Sequence, residues 1–548
     1  MLRFAMVLML TISPGLASEP STVHDLIIRN GTVYDGSGSA PYEGDIAIDG
    51  DRITVVGDLS GHRAKNEVDA EGLAVAPGFI NVLSWSNLSL LQDGRSLSDI
   101  MQGVTLEVMG EGHSMGPWNE AMKKQRLKEQ SDIRYDIAWT TLGEYLQHLE
   151  DRGVSTNVAS FVGASSVRVH EMGYADRPAS AAELERMKAL VREAMREGAI
   201  GLSSALVYVP GNFASTEELV ELARAAAEFD GLYTSHMRNE GNTIFDALDE
   251  FITIVRESGI RGEVYHLKVS GKQNWNKLDE VIRRIEAARA EGLAVTADMY
   301  TYHASSTGLT IELPGWAREG GHDAMVERLK DPALRPKIAA DMDMIPPEDL
   351  LLTSFENPAL RHLTGRTLAE VAAARGKTPE ETAFDLIIED DSRVGTVRFT
   401  MSEDNIRKKI ALPWISFCSD SASQAPEPPF THSQPHPRGY GAFARLLGKY
   451  VRDEGIISLE EAIHRLTQLP AANMKLDRRG ALAPGHYADV VVFDPEAIAD
   501  RATFEEPHQL AEGMVHVFVN GEQVLKDGEH TGAKPGRFVK GPGYRREP

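Results

Sequence analysis

Apolar and polar residues alternate with a period of two through DLIIRNGTVYDG (25–36), GDIAIDGDRITVVGD (44–58) and EVDAEGLAVAP (67–77). That period puts one face of a strand inside and the other in water. Asn30-Gly31 and Asp49-Gly50 interrupt the runs and read as hairpin turns. The same texture returns in GALAPGHYADVVVFDP (480–495) and VHVFVNGEQVLKDG (515–528), again with an Asn-Gly pair. Residues 24–75 and 480–540 are therefore expected to build one small β-sandwich domain from both termini. Between them, over 76–479, the period switches. Short apolar runs at 75–85, 103–110, 155–164, 198–206, 232–238, 263–269, 293–302 and 413–420 alternate with amphipathic helical stretches such as 182–198, 216–229 and 278–292. In the helical stretches apolar residues recur at i, i+3 and i+4, and several end in glycine. Strands separated by helical crossovers, in this number, predict an α/β fold of the (β/α)8, TIM-like barrel type. The stretch 303–412 is far longer than an ordinary strand-to-helix connection and is read as an insertion of extra helices covering the barrel mouth.

Composition narrows the function. The chain has 548 residues, with 57 Lys and Arg against 81 Asp and Glu, a net charge of −24 that argues against nucleic acid as a partner. The single cysteine, Cys418, excludes an internal disulfide and a four-cysteine zinc site. At the N-terminus, Met1-Leu2-Arg3 precedes an apolar run over 4–12 and the small residues Gly15 and Ala17. Residues 1–17 have the layout of a secretory signal, so the protein is expected to be exported, to the periplasm in a Gram-negative host. No later stretch approaches the roughly 18 apolar residues of a membrane span.

In a barrel of this type the chemistry lies at the C-terminal ends of the strands. The fifth expected strand runs out in Thr234-Ser235-His236, the sixth in Tyr265-His266-Leu267-Lys268 and the eighth in Cys418-Ser419-Asp420. A lone histidine is usually structural. Two on consecutive strand ends, with an aspartate ending the last strand, suit a divalent ion and a carboxylate that moves a proton.

These motifs have a precedent. GAIGLSSALVYVPGNFASTEEL (198–219), SHMRNEG (235–241), YHLKVSGKQNW (265–275), TADMYTYHASSTGL (296–309), SDS (419–421), HPRGYGAF (436–443) and RGALAPGHYADVVVFDP (479–495) resemble, in order and spacing, the N-acyl-D-amino-acid deacylases (D-aminoacylases) of the amidohydrolase superfamily. The resemblance covers nearly all of the chain after the signal. It implies a metal-dependent hydrolase of carboxylate-bearing amides. His236 and His266 match the zinc-binding histidines and Asp420 the catalytic general base and acid. Lys268, Tyr300 and Arg438 match residues that position a small-molecule substrate, with Lys268 and Arg438 on its α-carboxylate. The implied cofactor is one divalent ion, with Zn²⁺ the first expectation.

The sequence departs from the pattern at three places. Leu83 and Trp85 stand where most amidohydrolases have His-x-His at the first strand, and neither can bind a metal. Gly163-Ala164 replaces Gly-His at the third strand. The family's zinc-binding cysteine is missing from the segment Gly110-Glu111-Gly112-His113. Glu111 is the first candidate for that third ligand and His113 the second, while Cys418 reads as a buried thiol below the site. Two further readings remain open: hydrolysis of a cyclic amide, lactam or ester on the same scaffold, and a metal-free protein that binds a periplasmic ligand. Carboxylation of Lys268, the acyl group and the oligomeric state are not fixed by these residues.

Overall fold

The computed structural model describes residues 23–544. The expected signal at 1–17 lies outside them.

Eight parallel strands close the barrel. They are β1 (Phe79–Asn81), β2 (Val104–Met109), β3 (Asn157–Ser160, continuing in Val162–Gly163), β4 (Gly201–Ala205), β5 (Leu232–His236), β6 (Arg261–Val264), β7 (Val295–Met299) and β8 (Ile415–Phe417). Each pairs in parallel with the next, with one register shift between Phe79 and Ile80. The ring closes just past the strand ends, where Ser84 bridges Ser421 in parallel. There the Trp85 N–H donates to the Ser421 carbonyl and the Asp420 N–H to the Leu83 carbonyl, both at 3.0 Å. The strands are buried on both faces, and buried polar residues such as Glu107, Ser203, Ser204 and Ser235 interrupt their apolar positions. Amphipathic helices pack outside them. The helix Ala181–Glu197 starts on a Ser180 capping box and stops at Gly198, whose left-handed φ of 114° ends it.

Strands from both ends of the chain meet in one nine-stranded sheet. Val490–Phe493 pairs antiparallel with Ala74–Pro77, and Ile28, Ile46, Ile53, Val75, Val490 and Phe518 fill its core. Asn520-Gly521 makes the expected two-residue turn, since Val519 pairs with Glu522. Asn30-Gly31 does not turn the chain. Val23–Val33 runs on as one strand, and the register against Tyr42–Asp49 shifts between Ile28 and Gly31. The positive φ that an Asn-Gly pair tolerates is used for a bulge here (Asn30 φ 59°).

The insertion differs from the sequence expectation of helices. Besides helices it contains a three-stranded antiparallel sheet, with Gly395–Arg398 between Ser305–Gly308 and Leu350–Ser354. Its own apolar core includes Leu309, Leu329, Leu352, Phe384 and Ile387. Among the described residues no helix is long and apolar enough to cross a membrane.

Candidate active site

The C-terminal strand ends bring together groups far apart in sequence. After β2 the chain turns at Gly110, whose φ of 101° and close approach to the Phe161 carbonyl leave no room for a side chain. That turn points Glu111 inward. His236 is the last residue of β5. His266 follows β6 with φ 36°, and Asp420 follows β8 with φ 47°. Left-handed backbone at a non-glycine residue costs energy and persists where neighbours impose it. Here the His266 N–H is fixed by Asp298 Oδ1 at 2.8 Å, and Asp420 is fixed by its bond to Leu83.

Glu111 Oε1 lies 2.9 Å from His236 Nδ1 and 3.1 Å from His266 Nε2. One ligand atom from each of the three falls within 4.8 Å of the others. Burial alone would raise the Glu111 carboxyl, but the two imidazoles hold it well below the usual carboxylate range. His266 is pushed up to about 10: burial and Lys268 oppose its charge, and Asp420, Glu240 and Glu111 outweigh them. One carboxylate oxygen facing two imidazole nitrogens is a donor set that fits a divalent ion such as Zn²⁺. The buried carboxylate is otherwise balanced by a proton on imidazole, which a bound cation would displace.

His113 stands outside this group. Its imidazole is lowered to about 3 by burial, with Arg126 and Arg393 adding to the effect. Cys418 is also outside it. The thiol is fully buried and pushed up by burial, with the nearby carboxylates of Asp298 and Asp420 adding to the effect.

Across the opening, Asp420 Oδ2 lies 2.6 Å from Arg438 Nη1, and Asp420 Oδ1 accepts the Trp85 indole N–H at 3.1 Å. Arg438 is buried at the start of the helix Arg438–Arg445, with its guanidinium 4.5 Å from the Tyr300 ring centre. Its contact with Asp420 is close, yet it lacks hydrogen-bond alignment. Arg438 Nη1 therefore has Asp420 as an ion-pair partner only, and Arg438 Nε is a buried donor with no partner. The Tyr300 hydroxyl reaches only the Met401 sulfur, at 3.3 Å, a weak acceptor. Lys268 is placed differently. Its ammonium sits 2.7 Å from Glu240 Oε1 and 2.7 Å from His266 Nδ1. Glu240, in the SHMRNEG stretch, was not singled out in the sequence. It is also 3.1 Å from His266 Nδ1 and 3.6 Å from His236 Nε2. An acid four residues past a strand-end histidine was the available signal. The insertion reaches the site through Met401 and through Thr307, whose hydroxyl bonds Tyr208 at 2.9 Å. The Tyr208 ring stands 5.2 Å from that of His236.

Residues 66–525 match the profile described as Amidohydrolase family. The chain is 34% identical over 528 residues to a D-aminoacylase of Alcaligenes xylosoxydans xylosoxydans, covering 96% of this chain and 99% of the relative. The chain belongs to the amidohydrolase family. Among solved structures, this amidohydrolase is similar to an N-acyl-D-glutamate deacylase from Bordetella bronchiseptica complexed with zinc and a phosphonate inhibitor that mimics the tetrahedral intermediate (TM-score 0.80, 31% identity, covering 95% of this chain and 100% of the other). It is equally similar to a D-aminoacylase described as having a binuclear metal centre with one-metal activation and second-metal attenuation (TM-score 0.80, 34% identity, 94% and 100% covered).

Proposed function

We propose that this amidohydrolase hydrolyses the amide bond of N-acyl-D-amino acids. The observation that carries the reading is Arg438: a buried guanidinium that faces the acid Asp420 through Nη1 and leaves its buried Nε without a partner, on the same strand-end face as the Glu111, His236 and His266 cluster. A buried donor of this kind calls for an anion, and a guanidinium grips a carboxylate with two parallel bonds. The α-carboxylate is the group all N-acyl amino acids share.

Glu111, His236 and His266 are the residues that would hold the metal, which when bound supplies a Lewis acid for the amide carbonyl and lowers the pKa of water. Arg438 and the Tyr300 hydroxyl hold the substrate carboxylate. Lys268, paired with Glu240, adds positive field on the same side and orients His266. Asp420 accepts a proton as water adds to the carbonyl carbon, then gives it to the amide nitrogen as the C–N bond breaks. A carboxylate and a free amine are the products. Asp420 stands within reach of both jobs because Trp85 and Arg438 fix its two oxygens. The signal-like layout of residues 1–17 supports extending the proposal to an exported enzyme.

The test compares N-acetyl-D- and N-acetyl-L-amino acids with the purified protein, before and after chelation and again after Zn²⁺ is restored. The expected result is turnover of D substrates only, lost on chelation and recovered with zinc. Turnover of neither enantiomer in the zinc-loaded protein would overturn the reading.

A further inference from the structure

Asp420 has an unusual partner. Both of its oxygens are engaged, Oδ2 by Arg438 at 2.6 Å and Oδ1 by the Trp85 indole N–H at 3.1 Å. A carboxylate on the rim of a metal-capable cluster would ordinarily be a natural ligand for a second cation. Here its charge already faces a guanidinium, and the indole covers its other oxygen. The neighbouring strand end offers nothing instead. Leu83 and Trp85, on the chain leaving β1, carry no metal-binding atom. Among the described residues, Glu111, His236 and His266 form the one group of three or more ligating side chains that converge. The Trp85 backbone is pinned as well, through its N–H to the Ser421 carbonyl, so the indole is delivered from a fixed point of the barrel closure.

We infer that Trp85 is a positioning residue for the Asp420 carboxylate, and that its indole N–H stands in for a second cation and restricts the centre to a single ion. The kinetic half of this inference rests on the deacylase reading, whereas the stoichiometric half does not. A directed N–H bond to a carboxylate fixes the side-chain rotamer without adding a charge. It therefore acts on the step in which Asp420 moves a proton and leaves the substrate carboxylate to Arg438.

Two measurements test it. The first is the zinc content of the metal-saturated wild-type protein after equilibrium dialysis. One equivalent per chain is expected, and a second tightly held equivalent in the wild type would overturn the inference. The double variant Leu83→His/Trp85→His supplies two imidazoles on the segment that bonds Asp420, and a second equivalent is expected. Failure of the folded double variant to bind it would show that Trp85 is not what excludes the ion. The second measurement is Trp85→Phe, which keeps an aromatic ring and removes the N–H. Trp85 is 36% exposed, so the change opens no core cavity. Its kcat is expected to fall about tenfold, the scale of one lost charge-assisted bond, with KM within about twofold. An unchanged kcat would overturn the positioning role. If the wild type turns over no N-acyl-D-amino acid, the deacylase reading fails, and the zinc count still decides whether the centre holds one ion or two.

Discussion

At the scale of single residues, the site works by sharing. One Glu111 oxygen serves two imidazoles, and the Asp420 carboxylate faces an indole on one side and a guanidinium on the other. Removing one member should therefore separate metal binding from proton transfer. Glu111→Gln takes away the only anionic ligand of the cluster, and its zinc affinity is expected to fall by at least about 100-fold, measured by competition with a chelating dye. Asp420→Asn leaves the three ligands in place. It should bind zinc as the wild type does and lose kcat by roughly 10²- to 10⁴-fold, the range for a missing general base. Equal loss of zinc in both variants would contradict the division of labour. The histidines and Asp420 were legible because each ends an apolar strand, a position a periodic pattern marks. Glu111 was legible from the motif it displaces. Trp85 was legible only as a break in the His-x-His pattern; its bond to a carboxylate 335 residues away was not, and neither was Glu240, which lies in a loop with no period to read.

At the scale of elements, the barrel strands stood out because short runs with buried apolar residues recur between amphipathic helical stretches. The insertion's strands did not. Ser305–Gly308 (SSTG) and Gly395–Arg398 (GTVR) are four residues each and mostly polar, too short to show a period against the helices around them. Two elements hold the site's backbone and can be probed. The first is the turn after β2. A Cβ on Gly110 would clash with the Phe161 carbonyl oxygen, and φ is 101°. Gly110→Ala is expected to cost roughly 1–3 kcal/mol from the backbone alone. Because Glu111 must shift with the turn, zinc affinity should fall too, read by calorimetry beside a thermal melt. The second is the helix Glu403–Ile410, whose buried Lys409 donates to the Leu267 carbonyl at 2.5 Å. Burial, with Lys268 nearby, lowers the Lys409 ammonium to about 7. An ordinary lysine titrates near 10.4, so between about pH 7 and 10 the unfolded chain holds a proton that the folded chain has released. Stability from this group therefore rises with pH across that window, and its cost is complete below pH 7. Lys409→Met should flatten the rise. Its melting temperature relative to wild type should be most favourable near pH 6 and lose ground by pH 9.5. A pH-independent difference would contradict the assignment.

At the scale of the whole molecule, the two ends of the chain are fastened to the barrel by a buried polar knot at the end of the strands opposite the site. Asn157, the first residue of β3, donates to Asp489 at 3.2 Å and accepts from the Asn520 amide at 2.8 Å. Asp489 also takes the Asn520 backbone N–H at 2.9 Å and forms an ion pair with Arg479, which in turn donates to Asn520 Oδ1 at 3.2 Å. Arg479, Asp489, Asn157 and Asn520 are all buried, so each donor needs its acceptor. Breaking a buried pair by deleting one partner leaves an uncompensated charge, and Asp489→Ala is expected to cost roughly 3–5 kcal/mol, because Arg479 remains buried without its anion. Asp489→Asn keeps the size and an acceptor and should cost clearly less. The knot lies at the far end of the barrel, so the surviving folded protein should keep its KM and its zinc content while the unfolding midpoint in urea drops. If Asp489→Ala changed KM as strongly as stability, the site would have to be coupled to the terminal sheet through the length of β3. If the midpoint did not move, the sheet built from the two termini would be held by its strand pairing with Ala74–Pro77 and its apolar core alone.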